Sequence, residues 1–159
     1  IVCNVDEKCL PNGINYSDSC EKKFPNENII IVCADIEDQI MGHQVKDRKD
    51  FMLESGIKST GLDNLIKTGY TTLGLSTFFT SGPEESRAWT IEKNSKAVDA
   101  AGVIHTDFKK KFIRAETVTH EDFIKYKGFN ECKNAGKLRL EGKDYLVNDG
   151  DVMYFRVGN

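Results

Sequence analysis

Few residues in this sequence have the type and spacing to do chemistry. Asn4-Val5-Asp6-Glu7 follows an apolar, β-branched run that starts at Ile1. A carboxamide there offers one donor and one acceptor, the pairing that reads adenine N6 and N7. Ligands of open α/β sheets sit at the carboxyl ends of strands, where this loop lies. The ordinary role of a lone Asn in that position is to form a turn. His105-Thr106-Asp107 sets an imidazole two residues from a carboxylate, but no nucleophile is placed beside them, so His105 reads as structural or RNA-facing. Glu141 and Asp144 are close in sequence, yet Lys143 beside them suggests a salted surface loop. Cations gather at Lys109, Lys110, Lys111 and Arg114, then at Lys137, Arg139 and Lys143. Phosphate contact needs such cations on a rigid face. The lysines read equally well as a solvated turn. Phe108, Phe112, Phe123, Tyr126 and Phe129 are interleaved with them and read as core, which a domain of about 80 residues needs to bury enough apolar area.

No catalytic residue and no metal-ligand set is assigned. Five cysteines (Cys3, Cys9, Cys20, Cys33, Cys132) are an odd number without C-x-x-C or a zinc-type cluster. Cys3 and Cys33 lie in apolar runs, where a reduced thiol acts as a small hydrophobe. This usage predicts reduced thiols and a cytoplasmic protein, and nothing demands a redox switch through Cys9 or Cys20. The 159 residues are 39% hydrophobic and 30% charged, with net charge −3, a soluble globular balance. No run approaches the ~18–20 apolar residues of a membrane span. No basic leader is seen, and neither a membrane nor DNA is expected as partner. The opening at Ile1, without Met, reads as a chain cut into a fold already under way.

Charge divides unevenly. Residues 1–75 carry 8 Lys+Arg and 12 Asp+Glu, residues 76–159 carry 14 and 13. Periodicity in the first part gives strand Ile1–Val5, a loop from Leu10 to Tyr16 around Pro11-Asn12-Gly13, and a short helix Ser17–Lys23. The continuous apolar run Ile29–Cys33 suits a strand of a parallel sheet. Helical pieces follow at Ile36–Gln44 and Lys49–Glu54. Thr60-x-x-Asp63 caps a helix with Leu62, Leu65, Ile66 and Tyr70 on one face. In the second part, Thr77–Thr80 and Ser86–Ile91 form a hairpin across Ser81-Gly82-Pro83. Lys96–Ala101 is a short helix ended by Gly102, and Phe112–Val118 is a strand. Thr119-x-x-Asp122 caps a helix that buries Phe123 and Tyr126. Asp149-Gly150-Asp151 is a tight turn between Tyr145–Val147 and Val152–Val157. Strands wrapping one main helix suggest an α+β sheet of β-grasp (ubiquitin-like) type.

Several strings carry a resemblance: Gly61-Leu62 through Gly69-Tyr70, Arg87-Ala88-Trp89-Thr90, His105-Thr106-Asp107-Phe108, Phe112-Ile113-Arg114-Ala115-Glu116, and Gly136-Lys137 through Asp151. Together they resemble the YchF family of Obg-like ATPases, densely from Gly61 onward and more loosely over Leu10–Ser59. The resemblance implies an α/β remnant of a P-loop NTPase domain over 1–75 and a TGS domain over 76–159. The family's G-x-x-x-x-G-K-[ST] loop is not found here, so no hydrolysis by this chain alone is expected. Asn4-x-x-Glu7 matches the family's N-x-x-E. Guanine-specific NTPases carry N-K-x-D, and here Val5 replaces Lys and Glu7 replaces Asp. The variant goes with ATP preferred over GTP. Cys33-Ala34 matches the second base-contact loop, which presents backbone N–H groups to the purine. The resemblance thus implies base-binding roles for Asn4, Val5, Glu7, Cys33 and Ala34. It implies ATP with Mg²⁺ as cofactor of the intact parent, with none held tightly by this chain, since phosphate and metal contacts carry much of the affinity. The implied partner is the ribosome or ribosome-associated RNA. Alternatives are a binding module without a nucleotide role, or a regulatory interface.

Overall fold

The computed structural model describes residues 1–10 and 15–158, excepting the side chains of Asn15 and Tyr16. The expected turn at Pro11-Asn12-Gly13 lies outside them. The chain divides into two compact units, residues 1–72 and 73–159. No described helix is long and apolar enough to cross a membrane.

In the first unit, β1 (Val2–Asn4) pairs in parallel with β2 (Ile30–Val32), Cys3 opposite Ile31. The run of β-branched residues yields a parallel pair, as its unbroken apolar pattern predicts. Between them lie a 3₁₀ turn (Glu7–Cys9) and α1 (Asn15–Lys23). The latter begins two residues before the expected Ser17. α2 (Ala34–Gly42) and α3 (Val45–Glu54) follow, the first shifted two residues earlier than its apolar pattern suggested and the second four residues longer. Cys33, Ile36 and Ile40 form a small core with Leu10, Phe51, Met52 and Ile57. α4 (Gly61–Thr72) starts at the expected cap, with Thr60 Oγ1 accepting from the Asp63 N–H at 2.9 Å. Its apolar stripe is not sealed: Leu62, Leu65 and Ile66 stay 46%, 37% and 51% exposed.

The second unit is a five-stranded mixed sheet in the order β4-β3-β7-β5-β6. The strands are β3 (Leu75–Ser81), β4 (Ser86–Glu92), β5 (Phe112–Thr119), β6 (Arg139–Glu141) and β7 (Asp151–Val157). β3 and β7 run parallel, and the other pairs are antiparallel. α5 (Ala97–Ile104) packs Ala97, Ala100 and Ala101 with Phe78, Phe112 and Met153, which are at most 5% exposed. On the opposite face, α7 (His120–Tyr126) and α8 (Phe129–Asn134) lay Phe123, Tyr126 and Phe129 over Val118 and Val152. Thr119 caps α7, its Oγ1 accepting from the Asp122 N–H at 3.2 Å.

Two expectations are corrected here, and one strand is new. Gly102 does not end α5, which runs on to Ile104. A Cβ at Gly102 would come within 3.3 Å of Lys109, so the glycine admits α6 (Thr106–Lys110) against α5. Tyr145–Val147 is no strand of the sheet. Leu146 bridges Lys96, and Val147 donates to the Ser95 carbonyl at 3.0 Å, so the segment straps the start of α5. The last strand beside β5 is Arg139–Glu141, too short to show an alternation in sequence.

Candidate functional site

The ends of β1 and β2 are tied together by one side chain. Asn4 Oδ1 accepts from the Ala34 N–H at 3.0 Å. Both strands reach their carboxyl ends there because their register is parallel. The link uses the one N–H of Ala34, which is therefore not left for a base, and one of the two lone pairs of Asn4 Oδ1. This corrects the expected backbone donor at Ala34. What remains on Asn4 is its NH₂ group and the second lone pair of Oδ1. Asn4 therefore keeps both donor and acceptor capacity at the strand end. Purine N7 accepts in adenine and guanine alike.

Val5 is 6% exposed, and its N–H donates to the Val32 carbonyl at 2.8 Å. Its side chain is packing, not a face toward a ligand. Glu7 opens the 3₁₀ turn and is exposed. It lines a cavity of about 400 Å³ together with Leu10, Cys33, Glu37, Ser59 and Asn64. Cys33 is 2% exposed and lines that cavity beside Leu10, Ile31, Ile36 and Ile57. Glu37 is held at the rim, one oxygen accepting from the Gly61 N–H at 2.6 Å. Gly61 itself lies directly on β2: a Cβ there would sit 3.0–3.1 Å from Val32. Thus Asn4, Ala34, Glu7 and Cys33 are brought to one end of the strand pair. Among the described residues, no group of three His, Cys, Asp or Glu is placed to hold a metal. All five cysteines are free thiols. Burial, then the neighbouring Cys20, pushes the Cys3 thiol up, and burial does the same to Cys132.

The seven cations do not form one patch of free charge. Lys109 Nζ is 2.8 Å from Asp99, and Lys110 is 3.9 Å from Asp107. Both sit on α6, which replaces the turn expected there. Arg139 is 3.0 Å from Asp151 and 3.7 Å from Glu141, with its guanidinium 5.4 Å from the Tyr145 ring centre. Burial opposes the Arg139 charge, but Tyr145, Asp151 and Glu141 together raise its pKa. Lys111, Arg114, Lys137 and Lys143 have no side-chain hydrogen bond or ion pair among the described residues. His105 is structural, its Nδ1 accepting from the Asp107 N–H at 3.2 Å to cap α6. Asp144 is paired with Lys96 at 2.7 Å, and that ammonium holds its carboxyl below the usual range.

The sequence reading missed one buried cluster. Asp151 is 2% exposed and accepts from Arg139 Nη2 at 3.0 Å, the Tyr145 hydroxyl at 2.7 Å and the Asn148 N–H at 3.0 Å. Burial, then the bond to Asp151, pushes the Tyr145 hydroxyl up to about 12. Asp149 accepts from the Thr77 N–H at 2.7 Å, and Gly150 donates to the Thr77 carbonyl at 2.8 Å. The Asp-Gly-Asp turn therefore clamps β7 to β3. The doubled acid around a glycine was the available signal, but it reads as turn chemistry until Arg139 and Tyr145 are placed.

Comparison with known proteins agrees with this architecture. Residues 75–158 match the family model YchF-GTPase_C, described as "Protein of unknown function (DUF933)". The Bacillus subtilis protein named "Ribosome-binding ATPase YchF" is 51% identical over 159 residues, covering 98% of this chain and 43% of the relative. The Escherichia coli O157:H7 protein of the same name is 47% identical over 156 residues, covering 97% and 43%. The chain thus spans less than half the length of these curated relatives. The solved structure of the Schizosaccharomyces pombe YchF GTPase superposes with a TM-score of 0.83 at 32% identity, over 98% of this chain and 42% of that one. A GTP-binding protein from Pyrococcus horikoshii shares the fold, with a TM-score of 0.64 at 18% identity, over 99% and 45%. With its larger unit matched end to end by the family model and its whole length aligned to relatives of that name, the chain belongs to the YchF family.

Proposed function

We propose that residues 1–75 supply one edge of a purine-nucleotide site and that residues 76–159 are a TGS-type β-grasp module that contacts the ribosome or its RNA. The observation that carries the nucleotide reading is the Asn4–Ala34 hydrogen bond, which joins the two strand ends and leaves the Asn4 NH₂ to donate. A purine N7 fits that donor, and Glu7 follows three residues on, at the start of the 3₁₀ turn. The bound nucleotide would be ATP with Mg²⁺ in the intact parent, where it supplies the phosphoanhydride that is hydrolysed. The residues of this chain orient the base and do not touch the phosphates. Relatives are named for ATP and for GTP. The preference for ATP rests on Glu7, whose longer side chain does not reproduce the short bidentate grip of an Asp on guanine.

The order β4-β3-β7-β5-β6, with β3 parallel to β7 and α5 across one face, supports the β-grasp reading. The name of the relatives, ribosome-binding ATPase, supports the ribosome role and a cytoplasmic location. Titration of the full-length parent with ATP and GTP tests the nucleotide reading. Tighter ATP binding, lost with Glu7→Asp, supports it, and equal affinity for both nucleotides contradicts it. Co-sedimentation of this chain with ribosomes tests the module reading.

A further inference from the structure

The sheet face opposite α5 is only half covered. α7 and α8 lie over Val118 and Val152. Farther along the same rows, β5 sets Arg114 opposite Arg156 and Glu116 opposite Tyr154 of β7. Leu140 of β6 extends the Glu116 row. Tyr154 is 42% exposed and Leu140 59%, so apolar and aromatic surface is presented on a rigid sheet. A concavity of about 190 Å³ opens beside them, lined by Arg114, Arg156, Glu116, Phe129, Asn130 and Lys133.

The side chains there are arranged for a particular chemistry. The Arg156 guanidinium lies 4.5 Å from the Tyr154 ring centre and is held by Glu116 at 2.9 Å. Phe129 meets the Tyr154 ring edge-on at 6.3 Å with an interplanar angle of 69°. Arg114 and Lys133 are exposed, with no side-chain hydrogen bond or ion pair among the described residues. Three cations face one carboxylate, so the concavity is locally positive on a chain whose net charge is −3. Fixed aromatic rings and guanidinium planes stack unpaired bases, while a duplex hides its bases and offers only backbone and a shallow groove. An acidic peptide would use the charge but leave the ring without a partner. The carboxamide of Asn130, exposed at the start of α8, suits a ribose 2′-hydroxyl.

We propose that this face is a platform for single-stranded RNA. Arg114 and Lys133 hold phosphates, Tyr154 and the Arg156 guanidinium on it stack a base, and Asn130 engages a 2′-hydroxyl. This deepens the ribosome-contact reading above and moves its centre away from Lys109–Lys111, two of which are already paired.

Fluorescence anisotropy of the chain with a labelled eight-nucleotide RNA at two salt concentrations tests it. Arg114→Glu combined with Lys133→Glu should weaken binding about tenfold or more and lower the salt slope by about one per cation removed. Tyr154→Ala should weaken it by about five- to a hundredfold, and Tyr154→Phe should restore it. Lys109→Glu should change little. Each variant is at an exposed position, and an unchanged thermal melt confirms that it folds. Equal affinity of the charge-reversed variant and the parent overturns the proposal. So does tighter binding of duplex RNA or single-stranded DNA, or displacement of the RNA by polyglutamate at equal charge. Ribosome co-sedimentation separates the two readings. A chain that sediments while its RNA affinity ignores Arg114, Lys133 and Tyr154 overturns the platform alone. A chain that binds RNA through them yet does not sediment overturns the module reading alone.

Discussion

Residues 1–72 and 73–159 use the same local devices and reach different degrees of closure. Each has a threonine-capped helix, at Thr60 and Thr119, and each has a buried cysteine, Cys33 and Cys132. Among the described residues the first unit buries five apolar side chains and pairs two three-residue strands. The second buries thirteen and pairs five strands. The long-range polar links differ in kind as well. In the second unit, Asp149 and Asp151 seal β7 to its surroundings and lie apart from the basic, aromatic sheet face. In the first, the links include Asn4 to Ala34, both groups of the candidate nucleotide edge, and Glu37 to Gly61 at the rim of the adjoining cavity. Holding the fold and presenting the site are one task in the first unit and two tasks in the second. Substitutions at the site should therefore destabilise the first unit and leave the second folded.

The largest expected effect tests the depth of the second core. Phe78 is fully buried, and Phe78→Ala should cost about 3–5 kcal/mol in denaturant unfolding. Ile36→Ala, in the smaller core, should cost less, toward the lower end of about 2–5 kcal/mol. Equal losses would break the comparison. Gly61→Ala comes next. Its Cβ meets the backbone and side chain of Val32 at 3.0–3.1 Å, so overpacking of about 1–3 kcal/mol should appear in the first unit only. Amide exchange at Val32 should rise while that at Met153 stays unchanged.

How far the sequence spoke depends on whether a feature is local. Both threonine caps, the parallel pairing of Ile30–Val32 and the β3–β4 hairpin were legible, because turn and cap chemistry and apolar runs act over a few residues. The family resemblance was legible from long strings for the same reason. Gly102 was misread because its role depends on Lys109 packing across from another helix. β6 was missed because three residues give no period, and the Asp151 cluster because Arg139 and Tyr145 reach it only in the folded sheet. Of the candidate site, the placement of Asn4 and Glu7 was foreseen. The use of Asn4 Oδ1 by Ala34, the burial of Val5 and the pairing of Lys109 and Arg139 are tertiary facts.

Two smaller effects sharpen the comparison. Thr60→Ala and Thr119→Ala remove matched caps and should each cost about 1 kcal/mol, read as a shift of the unfolding midpoint. A much larger loss at either site would mean that its cap carries tertiary weight. The last effect is on pH. The Tyr145 hydroxyl stands at about 12 in the folded chain against an ordinary value of 10.0. The folded state therefore holds that proton more tightly. This contribution is full below pH 10 and fades as pH rises toward about 12. Tyr145→Phe should flatten that part of the stability profile for the second unit, and an unchanged slope would remove Tyr145 as its source.

The difference in closure between the two units is tested most directly by hydrogen exchange across the whole chain in one experiment. Amides of β3, β5 and β7 should stay protected far longer than those of β1 and β2, with the slow set ending near residue 73. Equal protection in both units would contradict the account.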